Sequence, residues 1–140
     1  MSSCALGIAT LALALPACAA TAQRTFVSAH GNDANPCSIP PPCRGFAVAL
    51  TQTSVAGEII VLDSAGYGAV AINKSVSIIA PPGVYAGISV FAGNGITASG
   101  AGHQITLRGL KLNGQGTQDN TVDRNNGGVV LGSISNCGGT

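Results

Sequence analysis

The sequence predicts an all-β protein: a short parallel β-helix of about three coils, with a short capping helix at its N-terminal end. Apolar-x-apolar triplets recur from residue 58 onward, and glycine, proline, asparagine and aspartate separate them. Triplets of this kind, rich in small and β-branched residues, are typical of short strands joined by tight turns. The chain of 140 residues is 46% hydrophobic and 8% charged, so it is apolar enough to fold, as about one domain.

The triplets fall into three cycles of three strands. Because successive strand residues point to opposite faces, the first and third residues of a triplet share one face. Strands with the same place in successive cycles should then stack in parallel around one core. An antiparallel sandwich would give the same alternation, but the cyclic grouping favours the solenoid. The expected core consists of Ile60, Leu62, Val70, Ile72, Val76, Ile78, Ile88, Val90, Ile96, Ile105, Leu107, Leu110 and Leu112.

The middle residues of the triplets should point outward, so Ser77, Ser89, Thr97 and Thr106 are expected to be exposed. Stacking the cycles arranges the middle residues in three outward columns, and none of the columns contains a carboxylate. The expected columns are Val61, Ser89 and Lys111; Ala71, Thr97 and Val130; and Ser77, Thr106 and Ser135.

Residues 23–57 precede the coils, which should occupy residues 58–140. This N-terminal part is expected to hold a leading strand at Thr25–Ser28, a loop, and a helix within Arg44–Thr53. We expect the helix to cover the open end of the coils, where strands would otherwise expose unpaired backbone groups. Its apolar stripe should consist of Phe46, Ala47 and Leu50. No matching cap follows the last triplet, so either the coils are truncated in a fragment or a partner covers that end.

Residues 1–22 are expected to be a signal peptide, which implies a secreted or periplasmic location in a bacterium. Residues 4–15 form an unbroken apolar run, shorter than the roughly 20 residues that span a bilayer but typical of a signal sequence. Residues 20–22 (ATA) then supply the small residues that precede a cleavage site. Lipidation at Cys18 and a buried helix are the alternatives. The mature chain is expected to have no membrane span.

The cysteines agree with export. Cys37 and Cys43 bracket a loop with three prolines, and in an oxidising compartment such a pair is expected to form a disulfide. A metal site is the weaker interpretation, because no second cysteine pair is present and His30 and His103 are isolated. Cys137 is left over, and it is either free or paired beyond the end of this chain.

Several segments carry a family resemblance: residues 26–36 (FVSAHGNDANP), 42–46 (PCRGF), 57–62 (GEIIVL), 72–79 (INKSVSII) and 105–114 (ITLRGLKLNG). With them the chain resembles exported bacterial β-helix proteins of the pectate-lyase-like superfamily. The resemblance implies a right-handed parallel β-helix. It implies no particular activity, because that superfamily includes lyases, hydrolases, adhesins and members of no known activity. It ends near residue 114, and residues 118–126 are polar and without pattern.

The expected function is an exported non-catalytic module, structural or glycan-contacting. A net charge of +1 gives no electrostatic reason to expect nucleic acid. Calcium sites and glycoside hydrolysis need clustered carboxylates, but the acids of this chain are scattered. We therefore expect no metal, no cofactor, and no lyase or hydrolase activity, and we can name no catalytic residue. The acids are Asp33, Glu58, Asp63, Asp119 and Asp123, and Asp63 is expected to form a turn.

Polysaccharide is the one partner that the side chains suggest. A basic strip for an anionic glycan could consist of Lys74, Arg108 and Lys111, although such cations at strand edges are commonly just solvated. Sugar stacking would depend on Tyr67, Tyr85 and Phe91. Two alternatives stay open: an N-terminal fragment of a polysaccharide lyase or glycoside hydrolase, and a fragment of an adhesin or autotransporter passenger.

Overall fold

The computed structural model describes residues 20–114, 122–125, 128–131 and 134–137. Within them the protein is mostly β-strand and has one short helix. In chain order the elements are β1 (Ala22–Val27), α1 (Phe46–Gln52), β2 (Thr53–Val61), β3 (Ala65–Gly66), β4 (Val70–Ile72), β5 (Val76–Ile79), β6 (Ala86–Ser89), β7 (Ile96–Ser99), β8 (Gln104–Arg108), β9 (Leu110–Asn113), β10 (Val122–Asn125), β11 (Gly128–Leu131) and β12 (Ile134–Cys137).

The strands lie in three sheets, and the neighbouring strands within each sheet run parallel. Sheet A has the order β1-β2-β5-β8-β11, sheet B has β12-β9-β6-β3, and sheet C has β10-β7-β4. From β2 onward the chain visits sheets A, B and C in turn, so every third strand pairs beside its predecessor. The cyclic threefold grouping of short parallel strands that the sequence predicts is therefore confirmed.

One hydrophobic core collects side chains from all three sheets. In β4, for example, Val70 and Ile72 are buried while Ala71 between them is exposed, as the pleat of a strand requires. Burying one such aliphatic side chain contributes about 1.5–3 kcal/mol. The predicted core positions from Val70 to Leu112 are all buried. Of the expected outward residues, Ser89 is exposed, and Ser77, Thr97 and Thr106 are half-buried.

The first triplet was assigned one residue out of register. Ile59 and Val61 are fully buried in β2, whereas Ile60 is half-buried and Leu62 is 39% exposed. The prediction that Ile60 and Leu62 belong to the core is therefore wrong. Residues 59–62 are all apolar, so this segment has no alternation to fix which face is inward, and a one-residue slip exchanges the two faces.

The outward columns also need correction. Ala71 aligns with Thr97 and Ser77 with Thr106, as predicted. Lys111, however, aligns with Gly87 of sheet B. Val61 is a buried residue of sheet A, so the column of Val61, Ser89 and Lys111 is wrong. The third members of the other two columns are wrong as well: Asp123 stands where Val130 was expected, and Val130 where Ser135 was expected.

The physical reason is that two strands carry no apolar triplet. β3 is only Ala65–Gly66, and β10 reads VDRN within residues 118–126, where the sequence shows no apolar pattern. Because the prediction did not include these two strands, it placed neighbouring triplets in the wrong sheet. The corrected register also brings two acidic residues into outward columns, because Asp123 aligns with Thr97 and Glu58 with Ser77. The prediction that no outward column contains a carboxylate is therefore wrong.

Helix α1 packs against strands of sheets A and C at the N-terminal end of the fold, and contacts β1, β2 and β4. Its buried face consists of Phe46, Ala49 and Leu50, which lie at the i, i+3 and i+4 spacing of one helical face. Ala47 is exposed, so its predicted place in the apolar stripe is wrong. The predicted signal peptide lies outside the described residues, apart from residues 20–22.

Candidate functional site

The candidate site is a groove at the corner where the chain passes from sheet A to sheet B. Between β5 and β6 this corner takes residues 80–85, but between β8 and β9 Gly109 alone turns the chain. Gly109 has φ +73°, and a Cβ there would meet the Ala80 carbonyl oxygen at 2.5 Å. Only glycine accepts that conformation and approach readily. Residues of the long corner and of the short one together line a groove.

The groove has a volume of about 450 Å³ and combines an apolar wall with two cationic residues. Pro81, Pro82 and Val84 form part of the wall, and Arg108 and Lys111 line the groove from the next cycle. None of its lining residues is acidic. A groove of this composition can bind an anionic group at Arg108 and Lys111 while apolar parts of the ligand lie against the prolines.

Sheet B extends this surface. Lys111 aligns with Gly87 on the neighbouring strand, and Gly87 in turn aligns with Gly66. A Cβ at Gly87 would meet the Tyr85 ring at 2.6 Å, so the ring lies across this glycine. Tyr85 remains 48% exposed. An aromatic face therefore stands one strand away from Lys111.

Lys74 does not join Arg108 and Lys111. It lies between β4 and β5 in a separate groove of about 390 Å³ beside α1. Its Nζ donates a hydrogen bond to the carbonyl oxygen of Thr53, at the C-terminal end of the helix. A cation there interacts favourably with the helix dipole. Burial lowers the pKa of Lys74. The predicted strip of three cations is thus reduced to two.

The other aromatic candidates are also separate from the groove lining. Tyr67 is buried and packs on Phe46, with the two ring centroids 5.2 Å apart. The Arg44 guanidinium lies 5.7 Å from the Tyr67 ring centroid. Phe91 is exposed. Tyr85 also lies outside the groove lining, but it directly follows Val84, which lines the groove. Its position therefore favours contact with a ligand of this groove.

The acidic residues within residues 20–114 are each engaged elsewhere. Glu58 forms an ion pair with Arg24 at 2.7 Å. One oxygen of Asp33 accepts hydrogen bonds from the backbone N–H groups of Arg44 and Gly45, both at 2.9 Å. Such contacts fix loop and helix positions and bring no two carboxylates together. Among the described residues, no group of three or more histidine, cysteine or acidic side chains could hold a metal ion.

Asp63 connects two segments of chain rather than only forming a turn. Its carboxylate accepts hydrogen bonds from Ser28 Oγ at 2.7 Å and from the Ala29 N–H at 2.7 Å. The hydroxyl of Tyr67 donates to it as well. Sequence reasoning missed Ser28 and Tyr67 as partners, because nothing in the spacing of residues 28, 63 and 67 indicates that they meet.

The electrostatics of this cluster favour an ionised Asp63. Burial of the carboxylate raises its pKa, but the hydrogen bonds from Tyr67, Ala29 and Ser28 and the interaction with His30 outweigh that effect. The pKa of Asp63 therefore lies below its ordinary value. Burial and the neighbouring carboxylate raise the pKa of Tyr67 above its ordinary range. The Ser28 hydroxyl bonds directly to the carboxylate, without the intervening imidazole of a nucleophilic triad, so the cluster favours a structural role.

The loop of Cys37 and Cys43 lies beside β1. The structure joins the two residues by a disulfide, with their Cα atoms 4.5 Å apart, and both side chains are fully buried. For Cys137, no side-chain position is described. Within the described part of the chain, no helix is long and apolar enough to cross a membrane.

No family model matches the chain, and no curated protein or solved structure matches it either. The interpretation of the groove therefore depends on the residues themselves.

Proposed function

We propose that this chain is an exported, right-handed parallel β-helix module that contacts an acidic glycan without cleaving it. The cyclic order of sheets A, B and C supports the β-helix. The hand follows from a general rule, since connections between parallel strands of one sheet are right-handed in about 98% of cases. Membership of the pectate-lyase-like superfamily stays part of this proposal.

The observation that carries the glycan contact is the convergence of Arg108 and Lys111 on one groove. Guanidinium and ammonium groups bind carboxylates and sulfates by charge-assisted hydrogen bonds. The proline wall and the ring of Tyr85 offer apolar and aromatic faces, which suit the C–H faces of a sugar. An acidic polysaccharide presents both kinds of surface in every unit.

The absence of turnover is supported by the arrangement of the acids within residues 20–114. Hydrolysis needs two carboxylates at a set separation, and lyase chemistry needs a base together with a cation that holds developing negative charge. Asp33, Glu58 and Asp63 are instead bound to separate backbone and side-chain groups. None of the three lines the groove.

Export is supported by the leader and by the disulfide. Residues 4–15 are typical of a signal sequence, and disulfides persist mainly in oxidising compartments. Detection of the chain in the periplasm or medium, with its N-terminus at Gln23, would be the expected result. Retention of an uncleaved chain in the cytoplasm would contradict export.

The glycan contact is tested by affinity electrophoresis in gels that contain polygalacturonate, alginate or neutral dextran. We expect retardation in the acidic gels only, weakening as salt is added. The Arg108→Gln and Lys111→Gln variants should each bind about three-fold more weakly, and the double variant about ten-fold, as expected for exposed ion pairs.

Arg24→Gln is the matched control, because it removes one exposed cation outside the groove and should leave retardation unchanged. Equal retardation in dextran, or unchanged binding in the double variant, would contradict the proposal. Release of unsaturated products or reducing ends from any of these polymers would contradict its non-catalytic part.

A further inference from the structure

The outer edge of β1 is covered by the disulfide loop. β1 ends sheet A and pairs with β2 on one side only. On the other side, the Phe26 N–H donates to the Cys37 carbonyl at 2.8 Å, and the Cys43 N–H donates to the Phe26 carbonyl at 3.0 Å. The Ser28 N–H donates to the Cys43 carbonyl at 2.9 Å. The two cysteines therefore supply the partners for the backbone groups along this part of the edge.

The disulfide holds this cover in place. It joins the two residues whose backbones bind the edge. A side-chain amide of Asn35 and the N–H of Asn32 both donate to the carbonyl of Pro42, at 2.7 and 3.1 Å. The covered edge itself has little protection in its sequence. Charged residues and prolines are the usual devices that keep edge strands from pairing. β1 reads AQRTFV and has one charge and no proline.

We propose that the Cys37–Cys43 loop is a removable cover, and that its detachment opens the β1 edge to a second copy of this chain. The two copies would pair β1 to β1, antiparallel, across a two-fold axis at Phe26. Phe26 directs both its N–H and its carbonyl outward, so opposed Phe26 residues form the doubly hydrogen-bonded pair of an antiparallel ladder.

This register is also compatible with the side chains. With Phe26 on the axis, Arg24 of each copy stands opposite Ser28 of the other, so no like charges oppose one another. The two Phe26 rings lie side by side, and aromatic cross-strand pairs stabilise antiparallel strands. An isologous pair of this kind closes on itself, which gives a dimer and no fibre.

Detachment by reduction is a balanced thiol–disulfide exchange. Both cysteines are fully buried, so a dithiol reductant attacks the Cys37–Cys43 bond when the loop opens locally, and two electrons and two protons pass to the cysteines as the S–S bond breaks. The products are two cysteine thiols and the oxidised, cyclic disulfide of the reductant.

The test measures molar mass by analytical ultracentrifugation over a concentration series, with reductant present for the variants so that no intermolecular disulfide forms. The oxidised wild type should be a monomer. The Cys37→Ser/Cys43→Ser variant should double its mass as concentration rises. In that background Phe26→Pro, which lacks the outward N–H, should restore the monomer, whereas Phe26→Ala, which keeps it, should leave the dimer.

A folded serine variant that stays monomeric at every concentration would overturn the proposal, and so would a dimer that survives Phe26→Pro. If circular dichroism shows that the serine variant does not fold, the oxidised wild type decides the matter by amide hydrogen exchange before and after dithiol treatment. Phe26 and Ser28 should be protected in the oxidised monomer. After reduction their protection should depend on protein concentration, and protection independent of concentration would refute the second copy.

Discussion

The carboxylate of Asp63 offers the sharpest test of how the N-terminal segment is held to the cycles. Replacing Asp63 by Asn keeps the shape but removes the charge that accepts hydrogen bonds from Ser28, Ala29 and Tyr67. The amide can present its one oxygen to Ala29 and Tyr67, which leaves its nitrogen facing the hydroxyl of Ser28. We expect Asp63→Asn to be folded but clearly less stable.

The magnitude follows from the three bonds. A hydrogen bond to a charged group contributes about 1.5–3 kcal/mol and a neutral one about 0.5–1.5 kcal/mol, so each bond loses roughly 1 kcal/mol. Because Asp63 is only half-buried, solvent reduces the total, and we expect about 2 kcal/mol. Asp63→Ala should cost more, about 3–4 kcal/mol, since the buried hydroxyl of Ser28 then loses its acceptor and the hydroxyl of Tyr67 keeps only the backbone carbonyl of residue 63.

The pH dependence gives a second, independent signature. The folded-state pKa of Asp63 lies below its ordinary value of 3.8, so the extra stability is present above about pH 4 and is lost as the pH falls through the folded-state pKa. Tyr67 acts in the opposite direction. Its folded-state pKa is raised above 10.0, so its contribution is present below about pH 10 and is lost as the pH rises further.

Urea denaturation followed by far-UV circular dichroism measures both effects. The gap between wild type and Asp63→Asn should be about 2 kcal/mol near pH 7 and should narrow progressively as the pH falls below about 4. Glu58→Gln is the matched control, because Glu58 forms an exposed ion pair with Arg24 worth at most about 1 kcal/mol. A gap below about 0.5 kcal/mol at neutral pH, or one that does not narrow in acid, would refute the reasoning.

Four further substitutions test the backbone and the core by the same urea assay. Ile59→Ala, which empties a buried site, should lower the free energy of unfolding by about 2–4 kcal/mol, and Ile60→Ala by less than about 1 kcal/mol. Equal losses would contradict the register of β2. Ala56→Gly should stabilise by roughly 1 kcal/mol, because the exposed Ala56 has φ 64°; a loss of stability would count against that conformation. Gly109→Ala should cost about 2–3 kcal/mol through its positive φ and its clash with the Ala80 carbonyl, and an unchanged midpoint would show that the corner is looser than described.

Much of the core could be predicted from the sequence, because a half-buried strand repeats its pattern every two residues. The triplet of Val70–Ile72 carries that pattern without ambiguity, and its burial is as expected. The apolar run at residues 59–62 carries no such pattern, and the register predicted for it was wrong. The predicted strand pairing was wrong around strands that contain no apolar triplet. An example is β3, whose two residues are Ala and Gly.

The candidate site was less accessible to sequence reasoning than the core. The predicted strip grouped Lys74, Arg108 and Lys111 by charge, and the structure brings only Arg108 and Lys111 to one groove. Whether two cations share a groove depends on the lengths of the corners and on which strands are paired within a sheet. The contact of Ser28 with Asp63 spans 35 residues, and such a long-range pair leaves no local signal in the chain.

The unequal corners of sheets A and B have a consequence for how this chain can vary. The depth of the groove depends on six residues turning where one glycine turns in the next cycle, and neither corner contributes its middle residues to the core. Insertions into the corner at Pro82–Gly83 would thus enlarge this wall of the groove while the strands keep their pairing. Ligand preference can in this way be changed, by evolution or by design, through loop length alone, because the stacked strands fold independently of the length of this corner.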